Sequence, residues 1–239
     1  MTIVSLPPDF STSRLGLHRV AAYLVSPARR QVTGRIGLRA TPGGFGTPLF
    51  LGNQWVRVVG TDVVVEIEGD RSVVPITSLN QIGEAMGLAP DVAWAGQFDI
   101  PDPGELDADL GVSEPGAAAL AGWYAFAWSI FEELRDDEAS IDASEPQLWP
   151  EHFDPAIETG SDALKQRASY GFSPGDAAHD EPYLYVGPWY ADNRPDSDYW
   201  NATSFPGSAL TYGKLLEADD PRAVALAFLR QGREILAGA

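Results

Sequence analysis

Apolar residues recur at helical spacing near the start of the chain. Leu17, Val20, Ala21 and Leu24 fall on one stripe, which predicts a helix over 14–25. Ser11, Thr12 and Ser13 stand where its N-cap is needed, and Pro27 is expected to end it. Over 31–41, Val32, Ile36 and Leu38 sit among polar neighbours and read as a strand, followed by a loop at Pro42-Gly43-Gly44-Phe45-Gly46. The period then becomes two. Valine-rich runs at 55–59, 63–68 and 71–76 are separated by Gly60-Thr61-Asp62 and Gly69-Asp70, turn chemistry that predicts an antiparallel meander. Within it Val63, Val65 and Ile67 are expected inward, and Glu66 and Glu68 toward water. Ser78 with Gln81 forms a capping box for a short helix through Met86, whose Leu79, Ile82 and Met86 should face the sheet.

Residues 89–114 read as a Pro- and Asp-rich connector with Pro101-Asp102-Pro103-Gly104 near its centre. An uncharged run follows at 115–131, capped by Ser113 and closed by the acidic segment 132–145. It reads as a buried central helix, with a second subunit as one candidate cover. Strand patterns return at 147–157, 168–172, 182–190 and 200–212. A last helix opens at Asp220-Pro221, lines up Val224, Phe228 and Ile235, and stops at Gly238. The pattern predicts an α+β fold of two helix-flanked antiparallel halves packed around the central helix. The N-terminal half spans 1–95, the connector 96–114, and the central helix with the C-terminal half 115–239, in one compact unit. Segments 35–55 and 167–189 share a Gly, a Pro-Gly and a terminal Trp, as an internal structural duplication would produce.

Composition narrows the chemistry. The 239 residues contain no cysteine, which removes disulfides, zinc ribbons, iron–sulfur clusters and thiol nucleophiles. A net charge of −18 argues against nucleic acid and anionic membrane as partners. Six arginines (Arg14, Arg19, Arg29, Arg30, Arg35 and Arg39) share the first 50 residues with one acid, Asp9, and are expected to neutralise the acidic remainder. The uncharged run at 115–131 falls short of the ~20 apolar residues that a spanning helix needs, and it is rich in Ala and Gly. No charged-then-apolar leader opens the chain, so a cytoplasmic location is expected.

A string of landmarks carries a resemblance. They are Leu17-His18, Leu38-Arg39-Ala40-Thr41-Pro42, Pro48-Leu49, Ile100-Pro101-Asp102-Pro103, Trp149 with Phe153-Asp154, Pro182-Tyr183-Leu184-Tyr185, and Asp219-Asp220-Pro221 before Ala227-Phe228-Leu229. In this order the chain resembles, over nearly its whole length, a family of uncharacterised proteins common in actinobacteria. The resemblance implies no activity and carries over no catalytic residue, and His152 stands outside that family's pattern.

Three constellations bear on chemistry. Gly171-Phe172-Ser173-Pro174-Gly175 matches G-x-S-x-G, but a nucleophile elbow takes an oxyanion N–H from the residue after the serine, and Pro174 has none. Ser173 therefore reads as a turn residue. Two of the three histidines occur as His152-Phe153-Asp154 and His179-Asp180-Glu181. On extended backbone each pair would present an imidazole and a carboxylate to one face. Together His152, Asp154, His179 and Glu181 would make a site for zinc, iron or manganese. A metal-dependent hydrolase would then use Asp176 or Asp180 as its base. The third constellation is aromatic. Tyr183, Tyr185, Trp189 and Tyr190, with Trp149, could line a groove at 149–190. Its neighbours Asp192, Asp196 and Asp198 favour cationic or hydroxyl-rich ligands. A small-molecule-binding module is the leading reading, with the metal-dependent hydrolase and a non-catalytic homodimer or interaction scaffold as alternatives.

Overall fold

The computed structural model describes residues 3–49, 54–98 and 100–238. Residues 50–53, part of the compared segment 35–55, lie outside the described residues. The first helix, α1 (Phe10–Val20), begins ahead of the predicted caps because Phe10 is itself buried. Pro27 does not end it. The helix widens into a π turn over Ala21–Val25 and resumes as α2 (Ser26–Thr33). Proline has no N–H to give the carbonyl four residues back, and that carbonyl, on Tyr23, accepts the N–H of Asp91 at 3.0 Å instead. Gly34, at φ 71°, closes α2. Residues 31–33 are thus helical, and of the expected 31–41 strand only β1 (Arg39–Thr41) is extended.

The Gly-rich segment expected as a loop is instead a buried strand, β2 (Gly44–Gly46), with Phe45 fully enclosed. Cβ atoms at Gly44 and Gly46 would strike the carbonyl oxygens of Val58 and Val56, so glycine permits the close pairing. Strands β3 (Trp55–Val59), β4 (Asp62–Ile67) and β5 (Asp70–Pro75) form the predicted meander. All five strands are antiparallel and lie in chain order, β1-β2-β3-β4-β5. The wet face is partly sealed: Val64 is buried beside its register partner Arg57, which stacks on Trp55 at 4.4 Å and pairs with Glu66 at 3.4 Å. Ile67, expected inward, is exposed at the end of β4. Helix α3 (Leu79–Met86) has the predicted cap, the Gln81 N–H reaching Ser78 Oγ, and buries Leu79 and Ile82. A short α4 (Val92–Ala95), capped by Asp91, follows.

Helix α5 (Glu114–Asp136) is buried along most of its length, through Leu120, Trp123, Phe126, Ile130 and Leu134, and the Gly116 N–H bonds to the predicted Ser113 cap. The second sheet contains β6 (Gln147–Trp149), β7 (Asp154–Thr159), β8 (Ala168–Ser173), β9 (Tyr183–Pro188) and β10 (Ser208–Thr211). It too is antiparallel and follows chain order. Helices α6 (Tyr212–Leu216) and α7 (Pro221–Ala237) end the chain, α7 capped by Asp220 and Gly238. The buried stripe of α7 is Ala225, Leu229, Gly232 and Leu236. The predicted Val224, Phe228 and Ile235 sit on its flank, half-buried.

The chain is α+β with two five-stranded sheets, and it divides into two compact units. One unit holds Leu6–Ala125 together with Leu148–Phe153. Its core includes a ring cluster in which Phe153 meets Phe45 at 5.1 Å, Tyr124 at 5.6 Å and His18 at 4.9 Å. Leu148 pairs with Leu38 by two backbone hydrogen bonds. The other unit holds Phe126–Gln147 and the chain from Asp154 onward, with the first few residues. In its core Phe126 and Phe131 pack edge-on against Phe172.

Candidate functional site

Cross-strand register sorts the second sheet into two faces. Ile157, Tyr170, Phe172, Leu184, Val186 and Leu210 are buried and share one face. The other carries Asp154 and Glu158 from β7, Ser169, Gly171 and Ser173 from β8, and Tyr183, Tyr185 and Gly187 from β9. Pairing runs one step past Ala168↔Pro188, since the Trp189 N–H bonds to Arg167 O at 3.0 Å. Trp189 thus stands opposite Arg167 at the end of this polar face.

Trp189 is 49% exposed, yet it is held at three points. Its backbone is in that ladder, its Nε1–H donates to Ser169 Oγ at 3.0 Å, and Arg167 lies 5.0 Å from its ring centroid. Arg167 is fixed in turn by Glu158 at 3.4 Å and by the carbonyls of Asp142 and Gly160 at 3.2 and 3.4 Å. On β9 the bare Gly187 separates Trp189 from Tyr185, ~13 Å apart along the strand. Ser169 faces Gly187 across the pair, and Ser169, Gly187, Tyr185 and Glu158 are all part-exposed. On this face Trp189 and Tyr185 flank a row made of Gly187, the Ser169 hydroxyl and the Glu158 carboxylate.

The hydroxyls of Tyr185, Tyr183 and Tyr190 are all bonded within the protein. Tyr185 lies over Gly171, where any Cβ would strike its ring, and its hydroxyl donates to the buried Asp154. Burial, then the Asp154 charge, push the Tyr185 phenol well above its ordinary range. Tyr183 is buried and donates to Asp176 Oδ2 at 2.6 Å, with the His179 ring 4.6 Å from its own. Burial would raise Asp176, but hydrogen bonds from Tyr183, Ala178 and His179 outweigh it and hold the carboxyl below its usual range. Tyr190 is tied to Asp162 at 2.5 Å, beside Trp189. Trp149 is half-buried in β6 and belongs to the other compact unit.

The four expected metal ligands do not assemble. Among the described residues no group of three or more His, Asp or Glu side chains could hold a metal ion. The cause is backbone geometry. Phe153 has φ 57°, so His152-Phe153-Asp154 is not extended and its two polar side chains do not share a strand face. His152 is exposed, whereas Asp154 is buried under Tyr185. His179 and Glu181 precede β9 on a bend, where His179 Nδ1 sits 3.4 Å from Asp176 and Glu181 is exposed. Ser173 is buried, and its Oγ accepts the Gly175 N–H at 3.1 Å, the turn role expected of it.

Sequence reasoning passed over Arg167, Ser169 and Glu158. The signal was there: period two through the expected strands 168–172 and 182–190 aligns Ser169 with Tyr185, Gly187 and Trp189. It also passed over His18, whose Nε2–H donates to Pro150 O at 2.9 Å while its ring stacks on Phe153. Burial pulls His18 down to about 4, against the opposing pull of the Pro150 carbonyl. Beside α7 lies an open groove of about 570 Å³ whose walls include Arg222 and Arg230. Both cations are engaged, Arg222 by Ser129 and Glu133 and Arg230 by Glu133 and Asp137. No helix among the described residues is long and apolar enough to cross a membrane. Comparison with protein-family models, curated proteins and solved structures gives no match.

Proposed function

We propose that this chain is a small-molecule-binding module that takes its ligand on the Trp189 platform of the second sheet. The observation that carries the reading is a half-exposed indole fixed by a hydrogen bond, a stacked guanidinium and its own backbone. Leaving a large ring in water has a hydrophobic cost, and fixing it costs conformational freedom. A ligand that covers it recovers the first and finds the second already met. Of the aromatic set, Trp189 is the exposed ring, Tyr185 and Tyr190 are part-exposed beside it, and Tyr183 is buried.

The test is ligand-observed NMR with intrinsic fluorescence, titrating neutral saccharides and small organic cations. Binding in the millimolar range or tighter is expected, and Trp189→Ala should weaken it at least tenfold with little change in melting temperature. A wild-type protein that binds neither class, or binding that survives Trp189→Ala, would overturn the proposal.

A further inference from the structure

We infer that the platform selects a neutral, hydroxyl-bearing ring over an organic cation, and that Arg167 sets this choice. The inference rests on the binding reading above and decides between the two ligand classes that the acidic surroundings leave open. An exposed tryptophan attracts cations because its π face is electron-rich. Here one face already carries a guanidinium, 5.0 Å from the ring centroid. Glu158 at 3.4 Å and the Asp142 and Gly160 carbonyls at 3.2 and 3.4 Å hold the guanidinium fork there. Among the described residues no aromatic ring or second cation stacks on Trp189 from the other side. A quaternary ammonium arriving there would meet a π system polarised toward Arg167 and a like charge across the ring.

The C–H face of a sugar-like ring carries only small partial charges and is far less sensitive to that polarisation. It also keeps the gain from covering apolar surface. Its hydroxyls have partners on the same sheet face. Ser169 Oγ accepts from the indole and retains its own O–H to donate, and Glu158 presents a carboxylate directly opposite Ser169 on the adjacent strand. Arg167 is thus a specificity-determining residue that acts through Trp189.

The experiment compares a panel of neutral mono- and disaccharides with tetramethylammonium on wild type, Arg167→Met and Arg167→Lys. In wild type the best saccharide should bind at least tenfold more tightly than tetramethylammonium. Arg167→Met should tighten tetramethylammonium at least fivefold, whereas Arg167→Lys, which keeps the charge, should not. Melting temperatures of both variants verify that the sheet is intact. Tetramethylammonium binding to wild type as tightly as any saccharide would overturn this inference while leaving the binding reading in place. Failure of both classes to bind wild type would remove the binding reading itself.

Discussion

At the scale of single residues, His18 shows how one half-buried ring ties pH to stability. Its imidazole is neutral in the fold, where burial and the nearby Arg14 and His152 disfavour charge, and its pKa is held near 4 against an ordinary 6.5. The unfolded chain therefore binds a proton first as pH falls. The neutral fold is fully favoured above about pH 6.5 and loses stability progressively down to about pH 4, by roughly 2 kcal/mol allowing for partial exposure. Chemical denaturation between pH 7 and 4 should show this slope, and His18→Gln should flatten it while lowering stability at pH 7 through the lost bond to Pro150. A slope unchanged in the variant would assign the effect elsewhere. The same scale explains why the histidine pairs misled. His-x-carboxylate spacing puts two side chains together only on extended backbone, and neither the positive φ of Phe153 nor the bend before β9 can be read from residue type.

At the scale of elements, turns and caps written in residue chemistry were legible: the β3–β4–β5 meander, the Ser78 and Asp220 caps and the Gly238 stop all formed as read. The failures occurred where a distant partner changed the local rule. Pro27 reads as a stop until Asp91 takes the carbonyl it leaves unpaired, and Gly44-Phe45-Gly46 reads as a loop until the Val56 and Val58 carbonyls require bare backbone. Helix α7 is joined to the end of α5 by charge as well as by its apolar stripe. Arg230 grips Asp137 through two nitrogens at 2.8 Å, Arg233 adds a bond at 3.0 Å, and Glu133 receives Arg222 and Arg230. Arg230, then Arg233, hold Asp137 below its ordinary range, and Arg222 and Arg230 do the same for Glu133. A carboxylate with a depressed pKa stabilises the fold above its unfolded value near 4, and that stability disappears as pH falls further. Asp137→Ala is expected to cost about 2 kcal/mol at pH 7, because the mostly buried Arg233 loses its carboxylate. A thermal melt should register a drop of about 5 °C, and an unchanged melting temperature would show the network to be ornamental.

At the scale of the whole molecule, the two halves repeat an order: helix, five strands in sequence, helix. Each also stacks an arginine on a tryptophan, Arg57 on Trp55 and Arg167 on Trp189. The alternation of the sequence made that repetition visible, but not its one irregularity. Residues Leu148–Phe153 follow α5 in the chain yet belong to the unit built from Leu6–Ala125. There Leu148 pairs with Leu38, and Phe153 is the ring on which Phe45, Tyr124 and His18 converge. The chain is therefore woven rather than beaded. A gene truncated after the first half should yield an insoluble product, since its core lacks those six residues. Two polypeptides, 1–125 and 126–239, should become soluble only when co-expressed, each recovered with the other on affinity purification. Any route by which such a gene arose from doubling of a shorter one must include the moment at which one copy began to supply the other's core, after which neither could be lost.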